Sequence, residues 1–486
     1  MAAQVGSGLA LLPLVPGRAE AATFVNDIHS QLNRTLVERV VRVDSEAAVR
    51  SAIGQARKEG RGISIAGGRH AMGGQQFARN SVLLDTRAMQ KIVSLDRAKG
   101  IVEVEAGIQW PQLIQGLIDM QAGDAKPWGI VQKQTGADRL TVGGALGANI
   151  HGRGLTLKPI VEQVESFSLM DSAGRTLECS RTENSELYRL VIGGYGLFGV
   201  VTRVRLRLMP RTKLERNVQI INADELMSAF EARIKEGYLY GDCQFSTDTQ
   251  SETFLRTGVF SCYRPLPADA EMPSSEKELG EGNWRDLYLL SHADTKRAYD
   301  AYTSYYLSTS GQRYWSDTNQ LSVYIDDYHE ELDRQLGAKH KGSEMITELY
   351  VPRPALPAFL DSVRADFRQH GVQVIYGTIR LIERDNESFL AWAREPWVCT
   401  VMNLHVEHSR EGLRKAERDF RRLIDRAIEQ GGSYFLTYHR WATRHQVEKC
   451  YPQMAKFLKL KRKYDPSEVF QSDWYRHCKR MFAGRG

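Results

Sequence analysis

The residues best able to do chemistry in this sequence cluster around glycine. Of 41 glycines, 23 lie between Gly54 and Gly199, gathered mainly in three runs: Gly67-Gly68-Arg69-His70-Ala71-Met72-Gly73-Gly74, Gly143 to Gly154, and Gly193 to Gly199. Glycine lets successive backbone N–H groups approach an anion closely, so each run could cradle a phosphate. No Walker lysine pattern accompanies them, and three runs in one region point to a ligand larger than a mononucleotide; tight turns in a β-rich fold are the structural alternative. Gly194-Tyr-Gly196-Leu-Phe-Gly199 matches G-x-G-x-x-G literally. That dinucleotide fingerprint requires a strand before it and a helix after it. Here Leu187 to Ile192 is helical in pattern and Val200 to Leu208 alternates as a strand, so the order is reversed and a nicotinamide site is not expected. His405 and His408 are three residues apart, which on an alternating strand sends them to opposite faces, and no metal is expected. The six cysteines are scattered without a C-x-x-C pair, so neither a zinc knuckle nor a disulfide framework is expected.

The elements that must position these groups are partly legible. Val40 to Val43 reads as a strand, and Asp44-Ser45 can cap the helix after it. Strands follow at Ile63 to Ala66, Val82 to Asp85, Ile92 to Leu95 and Ile101 to Ala106, with a helix from Trp110 to Met120. Val164 to Asp171 and Arg175 to Cys179 flank Ser172-Ala-Gly174 as a hairpin. A helix near Glu186 to Ile192 precedes the long strand that Pro210 ends. Beyond it the chain has fewer glycines and more aromatics. Gln373 to Ile382, Val398 to Val406 and Tyr434 to Tyr438 read as strands, and Glu411 to Gln430 and Gln446 to Lys459 as helices. The expected division is 23–210, 211–425 and a C-terminal segment 426–486.

With 486 residues, two or three structural units are expected. The 65 basic and 59 acidic residues leave a net charge of +6, and no basic stretch is interleaved with aromatics, so nucleic-acid binding is not expected. The apolar run Gly8 to Val15 and the small-x-small Ala19-Glu-Ala21 read either as a buried tail or as the remnant of an export signal within residues 1–22. The second reading implies a periplasmic or exported protein, the first a cytoplasmic one. No stretch suits a membrane span.

Four motifs together resemble the FAD-linked oxidases of the vanillyl-alcohol oxidase type: Ala66-Gly-Gly-Arg-His70, Thr141-Val-Gly-Gly-Ala-Leu-Gly-Ala-Asn-Ile-His-Gly152, Gly193-Gly-Tyr-Gly-Leu-Phe-Gly-Val-Val-Thr202 and Lys463-Tyr-Asp-Pro-Ser-Glu-Val-Phe-Gln-Ser-Asp473. Within that superfamily the chain is most similar to the aldonolactone and alditol oxidases and the decaprenylphosphoryl-ribose oxidases. The resemblance implies an α+β fold: a two-lobed PCMH-type FAD-binding domain, plus a cap domain with an antiparallel sheet. It implies that Ala66, Gly67, Gly68, Arg69, His70, Ala71, Gly73 and Gly74 hold the pyrophosphate and pass the flavin. Gly136, Thr141, Gly143, Gly144, Asn149, His151 and Gly152 would line its other side, and Val200, Val201 and Thr202 its far end. His70 falls where this family carries a covalent flavin histidine, although the usual following serine is Ala71 here.

The implied activity is oxidation of a CH–OH group of a sugar, alditol, aldonolactone or related polar alcohol, with oxygen or a quinone or cytochrome as electron acceptor. The family's Glu-x-Arg pair and lysine fall at Thr378-Ile-Arg380 and Tyr438, so the arginine is kept and the other two are not. Arg380 is then the expected orienting cation, with His405, Tyr438 and His439 as the acid–base set. Two alternatives are an aromatic or lipid-linked alcohol, stacked on Trp392, Trp397 and Trp441, and a flavin-binding protein without turnover.

Overall fold

The computed structural model describes residues 22–322, 325 and 328–483. The proposed export signal lies outside these residues. After an antiparallel pair, Thr23–Val25 with Thr35–Val37, comes a β-α-β unit: Arg39–Arg42 and Ile63–Ala66 flank Val82–Asp85 in a three-stranded parallel sheet. The helix Glu46–Lys58 joins them, and Ser45 caps it by accepting from the Ala48 amide at 3.3 Å. Its Val49, Ile53 and Ala56 bury against Val82 and Leu84. A second lobe is a five-stranded antiparallel sheet in the order Thr176–Ser180, Val164–Met170, Val200–Arg207, Ile101–Glu105, Ile92–Asp96. In Val200–Arg207, Val200, Thr202, Val204 and Leu206 are buried while Arg203, Arg205 and Arg207 are exposed, as the period-two pattern requires.

The chain beyond Pro210 builds one antiparallel sheet of eight strands. Their order is Arg313–Trp315, Lys213–Asn222, Thr257–Pro265, Tyr240–Phe245, Val374–Ile382, Trp397–Glu407, Gly342–Pro352, Ser433–Tyr434. The α+β architecture with an antiparallel second sheet agrees with the sequence reading. Behind this sheet packs Arg410–Glu429, whose Phe420, Leu423, Ile424 and Ala427 face the core. Over its other face lie Glu281–Ala293 and Thr295–Leu307, helices that the sequence reading did not identify.

Three elements depart from expectation. Tyr434 to Tyr438 is not a strand past Tyr434: the Thr437 carbonyl accepts instead from the amides of Met72 and Gly73, both at 3.0 Å, so the chain crosses to the first glycine loop. The helix expected over Gln446 to Lys459 is two helices, Arg444–Cys450 and Met454–Tyr464, because Pro452 cannot continue the first. The second glycine run holds a short helix, Val142–Ala148, ended by Asn149 at φ 51°.

The C-terminal residues return to the first sheet. Phe470 bridges Ile63 in parallel, the Ile63 amide donates to the Val469 carbonyl at 2.6 Å, and the Asp473 amide donates to the Phe77 carbonyl at 2.6 Å. Among the described residues no helix is long and apolar enough to cross a membrane.

Candidate active site

Between the glycine runs and the inner face of the eight-stranded sheet lies a cavity of about 820 Å³, the size of a cofactor or substrate site. One wall is a seam between two loops. A Cβ at Gly67 would lie 2.1 Å from Thr141 Oγ1 and one at Gly68 2.2 Å from the Arg139 carbonyl, so these glycines let the loops close on each other. Thr141 Oγ1 also accepts from the Gly144 amide at 3.1 Å, fixing the start of Val142–Ala148. Arg69 takes φ 60°, a strained conformation for a side-chain-bearing residue.

His70 lines this wall. Its Nδ1 lies 2.8 Å from His29 Nε2, one ring donating to the other. Burial, and then the neighbouring His29, hold the His70 imidazole well below its ordinary pKa. His29 is lowered to about 4, again chiefly by burial. Both rings are therefore neutral near pH 7.

The sheet supplies the opposite wall. Glu348 pairs across to Val401 and Val401 to Thr378, which sets Glu348 in one row with the substrate-side residues of neighbouring strands. Glu348 is fully buried and accepts from Tyr438 Oη at 2.8 Å and Tyr350 Oη at 2.7 Å. Its Oε2 also lies 2.9 Å from His151 Nε2, whose ring holds the Gly152 carbonyl at 3.0 Å through Nδ1. Burial alone would raise the Glu348 carboxyl. The charge and hydrogen bond of His151 and the two phenols outweigh it and bring it down to about 2. Burial and the Glu348 charge push the Tyr438 phenol well above its ordinary range, so it is a proton donor rather than a base at neutral pH.

Arg380 is buried in the same wall with its Nε unpartnered, and among the described residues no carboxylate pairs with it. Asp242, on the adjacent strand, accepts from Gln244 Nε2 at 3.0 Å and from Thr378 Oγ1 at 3.5 Å through Oδ2, while its buried Oδ1 has no partner.

Of the sequence-derived candidates, Gly67, Gly68, Arg69, His70, Ala71, Gly136, Thr141, Gly143, Gly144, Val201, Arg380 and Tyr438 line the cavity. Ala66, Gly73, Gly74, Asn149, His151, Gly152, Val200, Thr202, His405 and His439 do not. Several of these act from behind. Asn149 donates to Asp385 Oδ2 at 2.9 Å, His151 steadies Glu348, and Val200 belongs to the core under the parallel sheet. His439, expected in the acid–base set, faces away from the cavity, between Phe420, Tyr434 and Trp441, and burial lowers it to about 3. His405 lies at the cavity's margin, against Glu344. The tryptophans expected as stacking walls are also elsewhere: Trp392 and Trp397 are core residues, with Trp392 Nε1 donating to the Asn149 carbonyl at 2.9 Å. The refused G-x-G-x-x-G run lies between helix Ser185–Val191 and strand Val200–Arg207, in the reversed order expected, and contributes Tyr195, Gly196 and Gly199 to the cavity.

Sequence reasoning missed Glu348, Asp242 and Glu344. The available signal was an acidic residue inside an otherwise apolar strand, as in Ser343-Glu-Met-Ile-Thr-Glu-Leu-Tyr350, where residues 344 and 348 share a face. It was passed over because no histidine, arginine or glycine motif marked those strands.

The wall residues fit FAD. A Cβ at Gly136 or Gly147 would meet nothing within 4 Å, so backbone lies open to the cavity there. Gln76, Gln134, Gln244 and Asn403, all lining residues, carry buried oxygens without a hydrogen-bond partner, as groups awaiting a polar ligand do. Residues 37–180 match the family described as FAD binding domain. The chain is 22% identical to decaprenylphosphoryl-β-D-ribose oxidase of Mycolicibacterium smegmatis, over 89% of this chain and 92% of that protein. It is 22% identical to L-gulono-1,4-lactone dehydrogenase of Mycobacterium tuberculosis, over 90% of this chain and 95% of that one. It is 29% identical to L-galactono-1,4-lactone dehydrogenase 1 of Oryza sativa subsp. japonica, over 42% of this chain and 35% of that protein. Glycine seam, unpartnered polar wall and these relatives agree: the chain carries an FAD-binding domain over residues 37–180 and is an FAD-dependent oxidoreductase.

Proposed function

We propose that the protein oxidises a CH–OH group of a sugar, alditol, aldonolactone or related polar alcohol. The observation that carries this reading is the buried Arg380, which has no ion-pair partner among the described residues, on the wall that also holds Tyr438 and Asp242. FAD held along the seam would accept the hydride, which carries both electrons of the oxidation. Arg380 orients an electron-rich oxygen by charge and directional donors. Asp242, with one oxygen unpartnered, is the group suited to take the hydroxyl proton. Tyr438, fixed by Glu348, offers its phenol as a hydrogen-bonding group and keeps the substrate aligned. The relatives' printed names, a ribose oxidase and two aldonolactone dehydrogenases, support a polyhydroxylated substrate.

A neutral, buried His70 in the seam supports a covalent tether to the cofactor. Denaturation in acid tests it: flavin colour in the pellet is expected, and colour wholly in the supernatant excludes the link. Anaerobic bleaching of the flavin by a panel of sugars, polyols and aldonolactones tests the substrate class without assuming an acceptor. Reoxidation by oxygen against a soluble quinone then separates the two acceptors.

An aromatic or lipid-linked alcohol is the second reading. It is favoured by Tyr288, Tyr299, Tyr302, Tyr305 and Tyr306, which bring phenol rings to the cavity from Glu281–Ala293 and Thr295–Leu307. Bleaching by long-chain or aryl glycosides but not by free sugars would replace the first reading with this one.

A further inference from the structure

On strand Gly342–Pro352, four residues before Glu348, one carboxylate stands among three imidazoles. Glu344 is buried, and among the described residues its partners within ion-pair distance are His292, His329 and His405, with neither lysine nor arginine. Its two oxygens are used differently. Oε1 faces His292 Nε2 at 3.1 Å and His405 Nδ1 at 3.4 Å; Oε2 faces His329 Nδ1 at 3.1 Å and accepts from the Tyr328 hydroxyl. The His292 and His405 rings stand perpendicular, with centroids 5.0 Å apart, so they converge on Oε1 from two directions.

We propose that Glu344 Oε1, His292 Nε2 and His405 Nδ1 bind one divalent transition-metal ion, with zinc the best match. These three atoms all lie within 4.8 Å of one another. Two ligands each about 2.0–2.1 Å from one ion, at about 100° to each other, are about 3.2 Å apart, close to the two separations from Oε1. Two histidines and one carboxylate are a common zinc set that leaves a coordination position open. Glu344 itself lines the cavity, so the open position adjoins the space where substrate would lie. His329 and Tyr328 hold the opposite oxygen and thereby orient the ligand carboxylate. Gln373, whose amide nitrogen lies 3.4 Å from His292 Nδ1, would do the same for that ring once its amide turns to present the oxygen to the Nδ1 proton, as ligation through Nε2 requires. The expectation of no metal rested on His405 and His408. His408 lies instead against Ser343 Oγ, 2.8 Å away, and the partners of His405 come from a helix and a strand distant in sequence.

The test uses the flavin-loaded protein, stripped with EDTA and dialysed, then titrated with Zn²⁺ by calorimetry and with Co²⁺ by visible absorption. A single equivalent of either ion is expected, with cobalt d–d bands of a low-coordinate site. His329→Ala is expected to weaken binding about 10–100-fold. The pair His292→Ala and His405→Ala is expected to abolish the cobalt bands while retaining the flavin spectrum. Failure of the unaltered protein to take up a stoichiometric ion overturns the proposal whatever the variants do, as do cobalt bands that survive in the double variant. Metal content is read independently of turnover, so this result stands apart from the substrate assignment.

Discussion

Glu348 is the residue on which the polar wall turns. It accepts two phenols and faces an imidazole while wholly buried, so Glu348→Gln removes a charge that three groups are arranged around. Breaking a buried charge pair from one side costs about 3–5 kcal/mol, and a loss of that order is expected in denaturant unfolding at pH 7. The sign with pH follows from the lowered carboxyl. The contribution is fully present above pH 4.5 and is lost as pH falls through about 2, so the stability gap between the original protein and the variant should narrow below pH 4.5. A gap that stayed constant down to pH 3 would contradict the role. Asp242→Asn is expected to slow anaerobic flavin reduction about 10²–10⁴-fold, the range for a lost general base, whereas Tyr438→Phe should act more on KM for the alcohol. Equal rates in Asp242→Asn and the original protein would remove Asp242 from the reaction. At this scale the sequence was readable where residues fall in or align with recognisable motifs: His70 in its glycine loop, and Arg380 and Tyr438 by the resemblance, all three lining the cavity. It was unreadable where a carboxylate is hidden in a strand. Whether Asp242 or Glu348 faces polar or apolar neighbours depends on distant segments: Asp242 meets Thr378, 136 residues on, and Glu348 meets Tyr438, 90 residues on.

Elements built on local pattern were the most legible. The alternation of Val200 to Leu208 and the amphipathic stripe of Glu411 to Gln430 match the strand and helix formed, since each depends on periodicity within one segment. The expected strand through Tyr438 failed because its residues bond to Met72 and Gly73 rather than to the sheet, a choice made by tertiary contact. The loop seam makes its own prediction. Gly67→Ala places a Cβ 2.1 Å from Thr141 Oγ1, which must push the loops apart. Purified Gly67→Ala should retain much less flavin than the original, read from the absorbance ratio of flavin to protein. Gly147→Ala meets no protein atom within 4 Å and, without added FAD, should leave Tm within about 1 kcal/mol equivalent of the original. If Gly67→Ala held flavin as fully as the original protein, the seam would not govern retention.

Across the whole molecule, buried neutral histidines couple stability to acid. His29 and His439 are lowered to about 4 and about 3, and His70 well below its ordinary value, each chiefly by burial. Their unfolded counterparts begin to bind protons near pH 6.5, so the unfolded state gains protons first. Stability should be full above that pH and decline as it falls through 4, by up to about 1.4 kcal/mol per pH unit for each group. A thermal midpoint that did not move between pH 7 and pH 5 would show that these rings are solvated or paired.

The parallel bridge between Ile63 and Phe470 joins the two extremes of the chain around the seam. One consequence concerns the order of synthesis. The first glycine loop leaves the ribosome well before the strand edge beside it and the Thr437 carbonyl that fixes Met72 and Gly73. Fastening of the first glycine loop therefore waits on synthesis of the segment from Thr437 to Phe470, and a product cut before that segment carries an open loop however much of the rest has folded.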